Sequence, residues 1–393
     1  MSKKALTILG STSTIGVNTL DVVQQHPERF DLVALTAHQS TEKLLEQCMQ
    51  FKPKYAAMSD ANAADKLQKS IKEQNLNTKV VSGEDAICSL VQSSETDYVM
   101  AAIGGSAGLA PTLAAATAGK RIMLANKESL VVAGQIFMDA VKKSNCDLIP
   151  VDSEHNAIFQ CLGSPALDSI DTTHIDKVFI TASGGPFLNT ELTQLVNITP
   201  EQACAHPNWE MGKKISVDSA TMMNKGLEVI EAAWLFGFHL DLIDVVVHPQ
   251  SILHAMVCYE DGSTLAHLGK ADMRVSIASA LAWPARITSG VQALDLSALA
   301  NLEFLKPSYE RYPCLRLAMD AAKAQGTAPS ALNAANEIAV GSFLKMQIKF
   351  TDIFKVVNEV MQKIDIESDV TLDILLNADK EARAAATNLV QTI

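Results

Sequence analysis

Short, almost uniformly apolar runs recur through residues 1–150 and alternate with segments of helical periodicity. A strand that is apolar on both sides has to be covered on both faces, and parallel strands need long crossover connections, usually helices. The alternation therefore predicts an α/β fold with a Rossmann-like, doubly wound parallel sheet. The predicted strands are Ala5–Leu9, Leu32–Ala37, Tyr55–Met58, Val80–Ser82, Tyr98–Ile103, Ile122–Ala125 and Leu148–Val151, and typical helices are Gly16–His26 and Thr41–Phe51.

The rest of the chain has a different pattern. Residues 151–285 predict a central α+β domain for catalysis and dimerisation, residues 286–311 a linker rich in turn signals, and residues 312–393 a helical bundle. In the central domain we expect strands Val178–Ala182 and Val245–His248, a hairpin of Ala255–Tyr259 with Ser263–His267, and helices Ser219–Phe236 and Asp272–Ala282. The predicted bundle helices are Leu315–Lys323, Ala331–Lys345, Thr351–Lys363 and Leu372–Leu389.

Composition excludes several classes of function. The formal net charge of −12 argues against nucleic-acid binding through a general basic surface, although it permits one small phosphate pocket. The uncharged segment Tyr98–Gly119 is long enough for a membrane span, but its glycines and proline favour a buried strand, a turn and a helix of small residues. The seven cysteines form no CxxC motif, and the N-terminus is not typical of a signal or transit peptide. We therefore expect a cytoplasmic protein that binds neither membranes nor nucleic acid.

A glycine turn, Gly10-Ser11-Thr12-Ser13-Thr14-Ile15-Gly16, follows the first predicted strand and precedes a helix. Free backbone N–H groups and the helix dipole at such a turn favour the pyrophosphate of a dinucleotide. Ser13 replaces the middle glycine of the usual spacing, and an ordinary strand-to-helix turn is the alternative. The position of the turn after the first strand of an alternating pattern favours the cofactor site.

The end of the second predicted strand bears on which nicotinamide cofactor binds. In NAD-binding folds a carboxylate at this point accepts hydrogen bonds from the ribose hydroxyl. Here the strand ends in His38-Gln39-Ser40, and the first carboxylate is Glu42. Neutral polar side chains suit a 2′-phosphate better than a carboxylate would, so the sequence favours NADP.

Two carboxylates follow the strand Leu148–Val151. In an extended chain Asp152 and Glu154 point to the same side and can converge on one cation. Two hard oxygen ligands suit Mg²⁺ or Mn²⁺. The alternative is a helix N-terminus capped by Asp152 or Ser153, and that alternative prevails if the segment is taken alone.

A second polar stripe favours the metal site. On the predicted helix Ser219–Phe236, helical spacing puts Thr221, Asn224, Lys225 and Glu228 on one face. Glu231 shares this side only partly, so we expect it at the surface or just behind the site. The loops Ala182–Gly185 and His206–Gly212 add hydroxyl, imidazole and backbone donors that suit a phosphate.

At this point the sequence closely resembles the 1-deoxy-D-xylulose 5-phosphate reductoisomerase family, over nearly its whole length. The resemblance is carried by Gly10–Gly16, Ala125–Ser129, Pro150–Gln160, Ser183–Phe187, His206–Trp209, Lys214–Glu228 and Leu332–Glu337. It implies NADPH-dependent rearrangement and reduction of 1-deoxy-D-xylulose 5-phosphate to 2-C-methyl-D-erythritol 4-phosphate, in the non-mevalonate route to isoprenoids. It also implies a divalent metal, Mg²⁺ or Mn²⁺, and a homodimer.

The same resemblance implies roles for individual residues. The implied metal ligands are Asp152, Glu154 and Glu228, which with Lys127 form the catalytic set. The implied substrate residues are Ser153, Glu154, Ser183, His206, Trp209, Ser219, Asn224, Lys225 and Glu228. The implied cofactor residues are Gly10, Thr12, Ser13, Thr14, Ile15, His38, Gln39, Asn126, Lys127, Glu128, Met211 and Gly212.

The chain departs from the family at two places. The family commonly has glycine where this chain has Ser13, and Gly-Lys-Asn where it has His38-Gln39-Ser40. Two other functions compete with the one implied. One is a simple NADP-dependent dehydrogenase of a small phosphorylated substrate, which needs no site of three carboxylates. The other is a nucleotide-sensing or scaffolding protein with a decayed site, which the retained Asp152, Glu154, Lys225 and Glu228 disfavour.

Overall fold

A computed structural model describes residues 3–164, 166–209, 211–299 and 301–393. Within residues 3–164, seven strands form one parallel sheet in the order β4-β3-β2-β1-β5-β6-β7. Their bounds are β1 Lys4–Leu9, β2 Phe30–Ala37, β3 Tyr55–Met58, β4 Lys79–Ser82, β5 Tyr98–Ala101, β6 Arg121–Leu124 and β7 Leu148–Pro150. The order steps outward from β1 in both directions, which confirms the doubly wound α/β fold.

Helices connect these strands because every neighbouring pair runs parallel. They are α1 Thr14–Gln24, α2 Thr41–Phe51, α3 Ala61–Glu73, α4 Glu84–Gln92, α5 Leu109–Thr117 and α6 Glu128–Ser144, and a further helix, α7 Ser153–Leu162, follows the last strand. The uncharged segment Tyr98–Gly119 becomes β5, a 3-10 turn Ser106–Gly108 and α5. No helix in the described part of the chain combines the length and apolarity that a membrane crossing needs.

The second sheet has the order β11-β10-β8-β9. Its strands are β8 Ile175–Ala182, β9 Ile243–Val247, β10 Leu253–Tyr259 and β11 Thr264–Leu268. The pair β8/β9 is parallel, whereas β10 is antiparallel to both β8 and β11. The predicted hairpin is therefore confirmed, and the sheet as a whole is mixed.

Four helices belong to this part of the chain, and they differ from the prediction at one place. They are α8 Pro200–Cys204, α9 Lys213–Thr221, α10 Met223–Phe236 and α11 Met273–Ala282. We expected one helix over Ser219–Phe236, and this was wrong. Met222 adopts the left-handed conformation with φ of 58° and ends α9 before α10 begins.

The C-terminal helices are α12 Pro313–Ala324, α13 Ala328–Leu344, α14 Phe350–Lys363 and α15 Leu372–Val390. They enclose an apolar cluster that includes side chains of α9 and α10, such as Val217 and Leu227. Short 3-10 turns occur at Leu167–Ser169, Leu192–Asn197, Leu240–Leu242 and Leu296–Ala298. The segment predicted as a linker is not free of the sheet, because the backbones of Leu305 and Val247 exchange hydrogen bonds of 2.8 Å.

One close contact positions the site by joining α6 to α10. A Cβ added to Gly134 would lie 2.4 Å from the ring of Trp234, so only glycine lets the two helices approach this closely. Lys127 immediately precedes α6, and Glu228 lies on α10. The packing thus brings an ammonium from the first sheet and a carboxylate from the second part of the chain to one place.

Candidate active site

A cavity of about 1210 Å³ lies beyond the carboxyl ends of the parallel strands. This is the edge where ligands bind in open α/β sheets. Most of the residues predicted for the site line it: Thr12, Ser13, Thr14, Ile15, Lys127, Glu128, Asp152, Ser153, Glu154, Ser183, His206, Trp209, Met211, Gly212, Ser219, Asn224, Lys225 and Glu228. Gly10, His38, Gln39 and Asn126 are not part of its lining.

The glycine turn is built by close backbone contacts. Gly10 has φ of +74°, and a Cβ there would lie 2.5 Å from the carbonyl oxygen of Ala102. A Cβ on Gly16 would lie 2.4 Å from the carbonyl oxygen of Gly10. Both positions therefore require glycine. Ser13 is the N-cap of α1, and its hydroxyl accepts a 3.1 Å hydrogen bond from the amide of Gly16.

Sequence reasoning missed two residues of α2 that hold this turn. The buried Gln47 donates to the carbonyl of Ser11 at 2.8 Å and accepts from its hydroxyl at 2.7 Å. The Nζ of Lys43 donates to the carbonyl of Thr12 at 2.7 Å and lines the cavity. Helical spacing puts Lys43 and Gln47 on one face, but nothing in the sequence indicated that this face meets the turn.

The polar residues at the end of β2 face a different neighbour. His38 Nδ1 lies 2.8 Å from the hydroxyl of Ser59, and Gln39 donates to the carboxylate of Asp60 at 3.2 Å. These contacts run to the loop after β3, which explains why His38 and Gln39 do not line the cavity. Their predicted role at the cofactor stays a prediction.

Three carboxylates converge in the cavity. One oxygen from each of Asp152, Glu154 and Glu228 lies within 4.8 Å of the others. The premise of an extended chain was wrong, because α7 begins at Ser153 and places Glu154 in its first turn. The alternative of a helix N-terminus is confirmed in position, because Asp152 is the N-cap residue of α7, but its side chain makes no capping hydrogen bond.

Two lysines neutralise most of this negative charge. Lys127 Nζ lies 2.5 Å from Asp152 and 3.0 Å from Glu228, and also donates to Asn224 at 3.0 Å. Lys225 Nζ lies 2.7 Å from Glu154 and contacts Glu228. The carboxylates thus face ammonium groups at partly buried positions, where the interactions are stronger than in bulk water.

The protonation states follow from this arrangement. Burial disfavours the charge of Lys127, but the carboxylates of Asp152 and Glu228 outweigh it and raise the pKa of Lys127 well above its usual value. Burial raises the pKa of Asp152, yet the Lys127 ammonium more than reverses this and lowers it. Burial and the charge of Glu154 raise the pKa of Glu228. Lys127 is therefore a hydrogen-bond donor rather than a base.

The helix break divides the predicted polar stripe. Asn224, Lys225 and Glu228 lie on α10, whereas Ser219 and Thr221 lie on α9. The Thr221 hydroxyl accepts from the amide of Met223 at 3.3 Å, so it stabilises the break instead of facing the carboxylates.

Glu231 was expected at the surface or just behind the site, and the surface alternative is wrong. Its side chain is fully buried, and Oε2 lies 3.4 Å from Nδ1 of His155. The helix is buried nearly all round at this point, which its spacing alone did not reveal.

The segment from His206 to Trp209 covers one side of the cavity. His206 Nδ1 accepts from the amides of Asn208 and Trp209 at 3.2 and 3.0 Å, so the ring hydrogen is on Nε2. Nε2 then donates to Ser183 Oγ at 2.9 Å, and Ser183 Oγ also accepts from the amide of Gly185 at 3.0 Å. The hydroxyl hydrogen of Ser183 is left to donate into the cavity.

His254 was missed, since a lone histidine in the apolar strand β10 gave no signal. It lines the cavity, and its ring centroid lies 6.0 Å from that of Trp209. Burial lowers the pKa of His254 to about 4 and that of His206 to about 4, so both rings are neutral at pH 7.

A second ionic cluster, also missed, lies at the wall of the same cavity. Lys214 Nζ lies 3.1 Å from Glu128 and 2.9 Å from Asp218. Glu337 also lines the cavity and pairs with Arg383 of α15 at 2.6 Å. Apart from the pair Lys214–Asp218, these contacts join residues far apart in the chain, and motifs along the sequence could not show that they meet.

The sequence matches three family profiles. They are described as 1-deoxy-D-xylulose 5-phosphate reductoisomerase over residues 6–134, its C-terminal domain over residues 148–236, and DXP reductoisomerase C-terminal domain over residues 268–385. Together these matches span most of the chain, including every residue of the three-carboxylate cluster.

Curated relatives and solved structures agree with the profiles. The 1-deoxy-D-xylulose 5-phosphate reductoisomerases of Cellvibrio japonicus and Nitrosospira multiformis are 52% and 55% identical, covering 98% and 97% of this chain and 98% and 96% of their own. The Zymomonas mobilis enzyme in complex with NADPH has a TM-score of 0.91 at 42% identity and 100% coverage of both chains. A DOX-P reductoisomerase in complex with NADPH, fosmidomycin and magnesium has a TM-score of 0.93 at 44% identity, with 99% and 98% coverage. The chain therefore belongs to the 1-deoxy-D-xylulose 5-phosphate reductoisomerase family.

Proposed function

We propose that this protein converts 1-deoxy-D-xylulose 5-phosphate to 2-C-methyl-D-erythritol 4-phosphate, using NADPH and a divalent metal, Mg²⁺ or Mn²⁺. The observation that carries the proposal is the meeting of three carboxylates and two lysines in the same cavity as a glycine turn. A simple dehydrogenase needs the turn but not the carboxylates. Relatives described as complexes with NADPH and with magnesium support both groups.

The residues fit a hard divalent ion. Two ligands about 2.1 Å from one ion lie about 3 to 4 Å apart, and the three carboxylate oxygens already lie within 4.8 Å of one another. We propose Asp152, Glu154 and Glu228 as the ligands. A bound metal supplies Lewis acidity toward the oxygens of the substrate. Lys127 and Lys225 reduce the repulsion among the carboxylates when no metal is present.

The substrate phosphate is proposed to bind beside the carboxylate cluster, which Asn224 and Lys225 contact. Ser183 donates its free hydroxyl hydrogen, and Ser219, Asn224 and Lys225 provide further donors in reach of one anion. The neutral ring of His206 orients Ser183 by donating to it. Ser153 and Lys127 are proposed to hold the sugar hydroxyls.

Binding of the phosphate orients the reacting end of the substrate. Energy from the remote contacts serves to position the substrate and to close the segment His206–Trp209 over it. Trp209 lies against His254 at the cavity wall, and this apolar cover excludes water. The charged form of Lys127 keeps a donor beside the reacting oxygens throughout.

NADPH is proposed to bind along the first sheet and supplies the hydride. Thr12, Ser13, Thr14 and Ile15 face its phosphates from the N-terminus of α1, with Gly10 shaping the turn. Met211 and Gly212 are proposed to lie near the nicotinamide, and Asn126, Lys127 and Glu128 on the cofactor side of the cavity. Asn126 supports this wall by donating to the carbonyl of Gly105 at 3.3 Å.

We propose a homodimer formed through the second sheet. The edge strand β11 exposes Leu265 and Leu268 to solvent, and an uncovered apolar edge is a ready surface for pairing with another copy. Leu265→Lys should shift the protein toward monomer in analytical ultracentrifugation. An unchanged mass would place the interface elsewhere.

The domain division at residues 150, 285 and 311 and a cytoplasmic location also remain proposals. All seven cysteines lie in the described part of the chain and are unpaired, which suits a reducing compartment. Limited proteolysis within residues 286–311 would test the division.

The function is tested by following NADPH oxidation with 1-deoxy-D-xylulose 5-phosphate as substrate. Activity should disappear with EDTA and return with Mg²⁺ or Mn²⁺, and Glu228→Gln should reduce turnover by at least a hundredfold. Asp352→Asn, which removes a buried carboxylate in α14 far from the cavity, is the matched control and should stay active. Activity that persists without a divalent ion would refute the proposal.

A further inference from the structure

Directly behind the carboxylate cluster lies a second buried pair of titratable groups. Glu231 follows Glu228 by about one turn of α10, and His155 follows Glu154 on α7. Both side chains are 0% exposed, and Nδ1 of His155 lies 3.4 Å from Oε2 of Glu231. Neither residue lines the cavity, so neither touches substrate or cofactor.

His155 connects two of the proposed metal ligands. Its Nε2 lies 2.9 Å from the backbone carbonyl of Glu228, and because a carbonyl only accepts, this nitrogen carries a hydrogen. On the other side, Nδ1 lies 4.0 Å from Oδ2 of Asp152. The ring is also stacked on Phe236, with 6.4 Å between centroids and 11° between planes. The orientation of this ring therefore affects both ligands.

The carboxyl group of Glu231 contacts this ring at Nδ1. With Nε2 protonated, Nδ1 either accepts from a protonated Glu231 or, as imidazolium, donates to its carboxylate. At 3.4 Å the two atoms are in contact, although no well-aligned hydrogen bond joins them.

The pair is not explained by stability. Within the described part of the chain, Nδ1 of His155 and both carboxyl oxygens of Glu231 are buried without a well-aligned hydrogen bond. Buried polar groups in this condition destabilise a fold, and an apolar residue of similar shape would remove the penalty. A carboxyl group at this position is therefore retained for something other than packing.

We propose that Glu231 is a positioning residue for the metal site: it fixes the ring of His155, which in turn orients the Glu228 backbone and the Asp152 carboxylate. In many metal centres a carboxylate orients a histidine that itself binds the ion. Here the histidine contacts two of the proposed ligands and not the ion. The inference rests on the metal site proposed above.

The test is Mn²⁺ binding, measured from the electron paramagnetic resonance signal of free Mn²⁺ without substrate or NADPH. Glu231→Leu should weaken Mn²⁺ binding by about tenfold, at the lower end of the range for outer partners of metal ligands. Its resistance to urea should equal or exceed that of the wild type, because an unpaired buried carboxyl group is gone. Glu231→Gln, which keeps the shape and a donor toward Nδ1, should stay within about threefold of wild type.

Two controls separate the possible failures. Asp352→Asn should leave Mn²⁺ affinity unchanged, and NADPH affinity should be the same in wild type and Glu231→Leu. Wild-type protein that binds no Mn²⁺ would overturn the metal site together with this inference. Wild-type binding with an unchanged affinity in Glu231→Leu would overturn the positioning role alone, and so would a parallel loss of NADPH affinity.

A second variant covers the case in which Glu231→Leu does not fold. Glu231→Asp keeps the carboxyl group but withdraws it from Nδ1 by one methylene group. The positioning role predicts Mn²⁺ binding weakened by at least about threefold, a modest part of the usual effect. An affinity equal to the wild type would overturn the proposal.

Discussion

Replacement of Ser13 tests how the glycine turn binds the cofactor. Its hydroxyl accepts from the amide of Gly16 at 3.1 Å, and its hydrogen remains available to a phosphate oxygen. Ser13 has φ of −71° and ψ of 169°, an ordinary extended conformation, so neither alanine nor glycine introduces strain. Ser13→Ala removes the hydroxyl alone, whereas Ser13→Gly also removes the Cβ that faces the turn.

The magnitudes differ between the two variants. Loss of an N-cap serine costs about 1 kcal/mol with alanine and a few tenths with glycine. Loss of one donor to the phosphate costs about 0.5–1.5 kcal/mol of binding. Since about 1.4 kcal/mol is a factor of ten, NADPH affinity should fall by up to about tenfold in both variants. Only Ser13→Ala should lose measurable stability.

The assay is a fluorescence titration of NADPH and NADH with wild type and both variants, accompanied by unfolding in urea. The pyrophosphate is common to the two cofactors, so both affinities should fall by the same factor. NADPH should remain preferred, because no carboxylate at the end of β2 repels a 2′-phosphate. Tighter NADPH binding by Ser13→Gly would refute the reasoning and show that the Cβ pushes the phosphate outward. A change in the ratio of the two affinities would show that the hydroxyl faces the 2′-phosphate.

Three further predictions concern the cover, its pH dependence and the helix packing. Trp209→Ala should abolish the change in tryptophan fluorescence on substrate binding and raise KM, and a variant with both unchanged would exclude Trp209 from the cover. The segment His206–Trp209 should lose stability as the pH falls from the ordinary histidine pKa of about 6.5 toward the pKa of His206, about 4, and its stability should not depend on pH above that range. The fluorescence of Trp209 measures this change. A transition above pH 7 would contradict the assignment to His206. Gly226→Ala should lower the free energy of unfolding by about 1–3 kcal/mol, because its Cβ would lie 2.2 Å from that of Ala318. The control Gly341→Ala, with open space around it in α13, should raise it by up to about 1 kcal/mol.

The first sheet could be predicted from sequence because its strands are buried on both faces. Continuous apolar runs such as Tyr98–Ala101 have few other interpretations when helical segments separate them. The hairpin was equally clear, since Gly262 takes a φ of +85° at the turn, which few other residues tolerate. Both elements depend on residues that are close together in the sequence, so a local sequence pattern was enough to predict them.

The site could be predicted only in part. The three carboxylates were identified, although the argument for Asp152 and Glu154 assumed an extended chain where a helix begins. Helical periodicity could not show that Met222 would break the helix, because methionine carries no preference for a left-handed conformation. Nor could it show that Glu231 is buried, since burial depends on what α7 and α12 place around α10. Contacts such as Lys214 with Glu128 are set by tertiary packing alone.

The left-handed residue Met222 also affects how the binding of a ligand acts on the carboxylate site. In an uninterrupted helix the distance from Ser219 to Lys225 would be constant whether or not anything is bound. The break at Met222 makes α9 and α10 separate helices, and in the proposed complex the substrate phosphate bonds to residues of both. The phosphate therefore links α9 to α10, the helix that carries Glu228. A substrate analogue without the phosphate should therefore show lower turnover as well as lower affinity, because it does not link the two helices.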